Sequence, residues 1–161
     1  MLVRKYALAA GFALALWALW LLWLWQPDRQ VRLHTTHFLK KVERRNWDAA
    51  RAFMAEDFSD RWGHNKTTAL EDGRQVFAQF LFLTIENQIV NCEVQDGTEV
   101  AHTVLKIKGQ GGAVAPFVMQ AVNDLHEPFV FTWRRMGAAP WNWQLVRIDQ
   151  SELKIDEERA F

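Results

Sequence analysis

Residues 85–108 read IENQIVNCEVQDGTEVAHTVLKIK, and the period of this stretch decides the fold. Apolar and polar residues alternate over Ile85–Val94 and again over Thr98–Lys108, and Asp96-Gly97 between them is a two-residue hairpin signal. The pattern predicts two antiparallel strands. Side chains of a strand point alternately to its two faces, so Ala101, Thr103, Leu105 and Ile107 share one face, while Val100, His102, Val104, Lys106 and Lys108 share the other. The first set is the expected core face.

Upstream the period is helical. Val31, Phe38 and Val42 recur at helical spacing, with Lys40, Lys41, Glu43 and Arg44 between them. Asn46 is placed to cap a second helix, with Asp48 in its first turn and Trp47, Ala50, Phe53 and Met54 as its apolar stripe, ending near Phe58. Thr68 and Glu71 have capping-box spacing, and Leu70, Val76, Phe77, Phe80 and Leu81 carry a third helix to about Leu83. Downstream, Phe129, Phe131 and Trp133 alternate in a third strand. Trp141, Trp143 and Leu145 alternate in a fourth, after a Gly137-to-Pro140 turn. Helices first and strands afterwards predict an α+β domain of three helices packed on a curved antiparallel sheet of about four strands.

Two segments carry a family resemblance. Arg45-Asn46-Trp47-Asp48-Ala49-Ala50-Arg51-Ala52-Phe53-Met54-Ala55-Glu56-Asp57-Phe58 resembles the second-helix element of the NTF2-like (cystatin-like α+β, SnoaL-like) superfamily, and Trp143-Gln144-Leu145-Val146-Arg147-Ile148 resembles its closing strand. The resemblance covers roughly Val31 to Asp149 and implies a cone with a pocket between sheet and helices. The expected pocket and lid residues are Trp62, Phe77, Phe117, Phe131, Trp133 and Trp143. An insertion departs from the minimal pattern. Gly109-Gln110-Gly111-Gly112 lacks the Lys-Ser/Thr of a phosphate-cradling loop and reads as a flexible turn. In Ala113–His126 a stripe of Val114, Phe117, Val118, Ala121, Val122 and Leu125 suits a helix with Pro116 in its first turn, serving as a lid, a sheet-edge cover or a partner face.

Chemistry is sparse. Relatives resembling ketosteroid isomerase use a tyrosine hydroxyl, but the one tyrosine, Tyr6, lies in the N-terminal apolar run, so that site does not transfer. Dehydratase-like relatives pair histidine with a carboxylate, which leaves Asp60 with His64, or His102 with Glu99, as the candidate pairs. His34 and His37 are one helical turn apart, and no acidic triplet completes a metal site around them. Cys92 alternates with Val90 and Val94 as a buried thiol would, and Ser59 and Ser151 stand in no nucleophile-elbow pattern. No cofactor or metal is expected.

Tyr6–Trp25, YALAAGFALALWALWLLWLW, carries no charge over 20 residues and would rise about 30 Å as a helix, the thickness of a hydrocarbon core. Arg4 and Lys5 precede it, and Trp20, Trp23 and Trp25 near its distal end suit a headgroup belt. The expected organisation is a cytoplasmic head at 1–5, a transmembrane signal anchor at 6–25 and a linker at 26–30. An NTF2-like domain at 31–150 and a polar tail at 151–161 complete it. The expected location is a bacterial inner membrane, crossed once, with the C-terminal domain in the periplasm.

Setting Arg4 and Lys5 aside leaves 17 cationic against 19 acidic side chains, a balance unsuited to holding a nucleic-acid backbone. The single cysteine excludes an intrachain disulfide. The expected partners are membrane lipid through residues 6–25, an envelope protein or a second copy through a sheet face bearing Val100 and Val104, and a small apolar ligand. The expected function is recognition without catalysis by an anchored binding or scaffold protein. The alternative is an anchored isomerase, dehydratase or hydrolase using Asp60, His64 or His102.

Overall fold

The computed structural model describes residues 2–95 and 97–153, leaving aside the side chains of 2–10, Leu22, Leu24 and Gln95. The elements are α1 (Leu2–Leu24), α2 (Pro27–Glu43), α3 (Trp47–Phe53), β1 (Met54–Asp60), α4 (Lys66–Ala78), β2 (Phe80–Gln95), β3 (Thr98–Gly111), α5 (Val114–Asn123), β4 (Phe129–Arg135) and β5 (Trp143–Asp149). The strands form one sheet in the order β1-β5-β4-β3-β2. The α+β class holds: among the described residues the sheet has five strands in place of about four, and α2, α3 and α4 stand where three domain helices were expected, with α1 before them and α5 in the insertion.

The extra strand comes from the end of the second expected helix. Asn46 caps α3 as predicted, its side chain accepting from the Ala49 N–H at 3.1 Å. The helix stops at Phe53, short of Phe58, because Met54–Asp60 leaves it to pair in parallel with β5, Met54 beside Leu145 and Asp60 beside Ile148. Met54, Ala55 and Phe58 are buried by that move. The third helix also shifts. Asn65 caps it by accepting from Thr67 and Thr68 N–H groups, and Thr68 Oγ1 accepts in return from the Asn65 N–H at 2.9 Å. This capping box lies one turn ahead of the Thr68–Glu71 pair that the spacing suggested. The helix ends at Ala78 so that Phe80 can open β2 and bury its ring.

The β2–β3 hairpin turns through Gly97 at φ 79°, in the left-handed region, and both strands outrun their predicted ends. Gly109 to Gly111 of the glycine cluster are therefore strand, not a flexible turn, and Gly112 follows the strand's end. A Cβ on Gly109 would overlap the Phe82 carbonyl oxygen, and one on Gly111 the Gln79 carbonyl oxygen. Beyond Thr103, β3 has no pairing with β4, and the insertion helix covers it there. Asn123 stands in for a strand, donating from Nδ2 to Ile107 O at 2.8 Å and accepting at Oδ1 from Ile107 N at 2.7 Å. Replacing Asn123 by alanine is expected to cost about 1–3 kcal/mol, because both Ile107 groups lose their partner. Urea unfolding of the variant measures the loss.

On the opposite edge, side chains of α2 and of the turn after it cover β2. Glu43 Oε2 accepts from Ile85 N at 2.9 Å, Arg32 Nη1 donates to Ile89 O at 3.1 Å, and the Arg45 guanidinium donates to Phe80 O. Burial pushes the Glu43 carboxyl up, but the Lys40 ammonium and the Ile85 N–H together bring it below its ordinary value. The core between α2, α3 and the concave wall contains Val31, Phe38, Met54, Phe131, Trp133 and Leu145. Trp133, 0 % exposed, sits at its centre with its ring edge-on to those of His34, Phe38 and Phe53.

The single-pass placement is corrected. Among the described residues no helix is long and apolar enough to cross a membrane. With it falls the periplasmic assignment. Trp20, Trp23 and Trp25 are exposed, and the Arg29 guanidinium lies over the Trp23 ring at 3.0 Å from its centroid, joining α1 to α2. Residues 27–30, expected as linker, form the first turn of α2. Of the expected tail, residues 154–161 lie outside the described residues. Its start is tied down, with Gln150 Oε1 accepting from the Glu152 and Leu153 N–H groups at 2.6 and 2.9 Å.

Candidate functional site

Asp60 ends β1, and the turn through Gly63 at φ 90° brings His64 back beside it. His64 Nδ1 lies 2.7 Å from Asp60 Oδ2, and its Nε2 lies 3.3 Å from Asp72 Oδ2 on α4. Asp60 Oδ1 accepts from the N–H groups of Trp62 and His64 at 2.9 and 2.8 Å. The predicted pair is real in geometry, yet both imidazole nitrogens already face carboxylates. Neither is free to move a proton on a substrate. The pair fastens the β1–α4 turn.

His102 meets Glu93 across the hairpin at 3.0 Å, not Glu99. Strand parity decides this, since residues 99 and 102 point to opposite faces of β3. The Glu93 carboxylate is half exposed, which leaves the pair wet.

The expected pocket residues scatter. Phe131, Trp133 and Trp143 are buried core, and the Trp143 Nε1–H donates to Pro140 O at 2.8 Å. Trp62 Nε1 donates to Leu153 O at 3.0 Å, holding the start of the tail. Phe77 stacks on Trp47, with ring centroids 6.2 Å apart. Phe117 is 72 % exposed on the outward side of α5, whose inward stripe is Ala115, Val118, Met119 and Val122. It does not close over the cone. Val100, expected on an outer contact face, is buried, whereas Val90 and Val94 are exposed.

Glu99, expected as a partner for His102, lies instead on the buried face of β3. Two places before Ala101 on the same face of β3, it carries the predicted core face to the hairpin end, and it is 5 % exposed. Burial and the neighbouring Asp28 carboxylate push its carboxyl above the ordinary value of 4.5. The adjacent Cys92 thiol, half-buried and bonded to Asp28, is pushed up to about 12 by that burial first and the bond second. It stays a thiol at neutral pH. Because the folded chain holds the Glu99 proton more tightly than the unfolded chain, this group's stability contribution is intact below about pH 4.5 and is lost as pH rises through the raised value. Glu99→Gln is therefore expected to raise Tm at pH 7 by roughly 2–4 °C and to flatten this part of the pH profile. Thermal melts from pH 4 to 8 check it.

A shallow cleft of about 180 Å³ lies between α3 and α4, lined by Trp47, Asp48, Arg51, Thr67, Leu70, Glu71 and Arg74. Two arginines and two carboxylates share its lining, and Arg51 donates to Thr67 Oγ1 at 3.1 Å. Among the described residues no group of three His, Cys, Asp or Glu side chains could hold a metal ion.

Solved structures share this architecture. An NTF2-like protein of unknown function from Pseudomonas putida KT2440 aligns at 14 % identity and a TM-score of 0.56, over 83 % of this chain and 91 % of that one. A "putative dehydratase from the NTF2-like family" of Streptomyces avermitilis aligns at 17 % and 0.54, over 80 % and 96 %. Bdellovibrio bacteriovorus Bd1075 aligns at 9 % and 0.56 over 80 % of this chain, which spans only 41 % of that protein's length. Identities this low establish the NTF2-like fold alone. No family model matches the chain, and no curated protein sequence matches it.

Proposed function

We propose that this chain is a non-catalytic NTF2-like binding domain that recognises a protein partner through its rim and outer surface. The observation that carries the reading is the state of the cone. Its expected interior is occupied by Phe38, Phe131 and Trp133, while the Asp60–His64 pair is closed on itself in a turn. Catalysis in a cone needs a titratable group facing a substrate in a water-poor space, and His64 and His102 face carboxylates instead. Apolar side chains that would otherwise be buried stand outside, among them Leu81, Phe82, Phe117 and Trp141.

The rival reading, an isomerase, dehydratase or hydrolase, draws on the 2.7 Å approach of Asp60 to His64. It would require Asp72 to release the Nε2 side of the ring.

Native mass spectrometry of the full chain, purified gently from its own cells, separates the two. A stoichiometric second protein chain is the expected result. A bare chain that turns over a carbonyl or hydroxyl substrate, with turnover lost in His64→Gln, would overturn the proposal.

A further inference from the structure

The connection between β4 and β5, residues 136–142, is closed on itself. Met136 N donates to Asn142 O at 2.8 Å, Asn142 N to Ala139 O at 3.2 Å, and the Arg135 guanidinium to Ala138 O. The Trp143 indole at the start of β5 donates to Pro140 O, so the loop is shaped by its own bonds. A side chain of α2 ties it to the helical layer. His34 Nε2 lies 3.0 Å from Trp141 O, and among the described residues no other donor reaches that oxygen.

Both nitrogens of this ring face carbonyl oxygens, because Nδ1 lies 2.7 Å from Gln30 O, one turn back on α2. A carbonyl oxygen only accepts, and a neutral imidazole carries one N–H, so in the neutral ring one of the two contacts sets lone pair against lone pair. An imidazolium satisfies both. The groups that face the ring from other elements are Phe53 at the end of α3 and Trp133 on β4, with centroids 6.0 and 5.7 Å away, and neither is charged. On α2 the titratable neighbour at helical spacing is His37, which is exposed. Asp28 and Arg32 are bonded to each other, and Glu43 to Lys40 and Ile85 N. Among the described residues His34 forms no ion pair, so its two protons answer to two carbonyls and not to an acid.

We propose that His34 is a proton-operated latch: as an imidazolium it donates to Gln30 O and Trp141 O and holds the β4–β5 connection against α2, and on giving one proton to water it releases the loop. Gln30 O is fixed in the helix and keeps the remaining N–H, so the loop carbonyl is the one set free. The latched arrangement holds one proton more than the released one, and rising pH therefore favours release. Trp141 is 61 % exposed, so the latch sets where a large apolar side chain stands on the surface. That consequence rests on the binding role proposed above, which draws on Trp141; the latch itself needs no partner.

The test is NMR of the full ¹⁵N-labelled chain without any partner, from about pH 5 to 8. It follows the His34 ring nitrogens, assigned through the α2 backbone, and the Trp141 indole N–H, assigned through Trp141→Phe. At the acid end both ring nitrogens should carry a hydrogen. As pH rises one of them should lose it, and the Trp141 resonance should shift with the same midpoint. His34→Gln, which does not titrate, should abolish the Trp141 shift, whereas His37→Gln should leave it in place. Coincidence of the two midpoints in the wild type decides the matter even where His34→Gln fails to fold. A His34 ring with a single N–H at the acid end, a Trp141 resonance that stays still across the range, or a Trp141 shift that survives in His34→Gln would overturn the proposal. Its failure is read in the chain alone and leaves the partner in the native mass spectrum untouched, whereas failure of the binding role removes that partner.

Discussion

Replacing Trp133 by alanine is expected to destabilise the domain by about 3–5 kcal/mol, the largest single effect of any core substitution here. The ring is fully buried and touches α2 through His34 and Phe38, and the end of α3 through Phe53. Its β4 backbone is held between β3 at Glu99 and β5 at Leu145. Removing the indole takes away the body on which the two helices meet the sheet, and none of the surrounding rings can collapse into the space without leaving its own neighbours. Trp133→Phe should cost much less, because it keeps an aromatic body and removes an N–H that has no partner. For a chain of this size the alanine loss corresponds to a fall in Tm of roughly 10 °C, readable by calorimetry.

Gly111→Ala is the second large effect. A Cβ there would overlap the Gln79 carbonyl oxygen and lie 2.8 Å from Phe80 Cα, against backbone that holds the first residue of β2. The start of β2 has to move, and with it Phe80, which anchors the smaller core of Ile107 and Ala115. Overpacking of this kind costs about 1–3 kcal/mol, and loss of the Gly112 N–H bond to Gln79 O, 2.8 Å long, adds to it. The neighbouring glycine provides the control. A Cβ on Gly112 would meet first the flexible end of the Gln79 side chain, at 3.3 Å, so Gly112→Ala is expected to stay within about 0.5 kcal/mol. Parallel urea melts of the two variants compare a backbone clash with a side-chain one.

What was legible in the sequence was what neighbouring residues decide among themselves. Alternation on either side of Asp96-Gly97 specifies the long hairpin and its core face, and Asn46 specifies the start of α3. β1 was not legible, because Met54 continues the stripe begun by Trp47, Ala50 and Phe53, and its competing partner is Leu145, far along the chain. The glycine cluster misled for a related reason. Glycine marks turns when read locally, but at 109 and 111 it answers to the backbone of β2, whose extent the local pattern understated.

The site divides in the same way. Asp60 and His64 are four residues apart and do meet, as proximity along the chain suggested, but Asp72 reaches them only through the packing of α4. Glu99 was within reach, since extending the predicted core face of β3 by one more step places a carboxylate among apolar residues. Parity also excluded it as a partner for His102. The carboxylate beside it was not legible, because Asp28 comes near only through the packing of α2 on the hairpin.

Benzene is a direct probe of whether the cone is filled by the chain's own aromatic side chains, since apolar cavities of sufficient size take it up and gain stability. Calorimetry of the full chain with and without saturating benzene should show no change in Tm for the wild type and a rise for Trp133→Ala, whose vacated space the ligand can occupy. A clear rise for the wild type would mean an open apolar pocket inside the cone and would contradict the account.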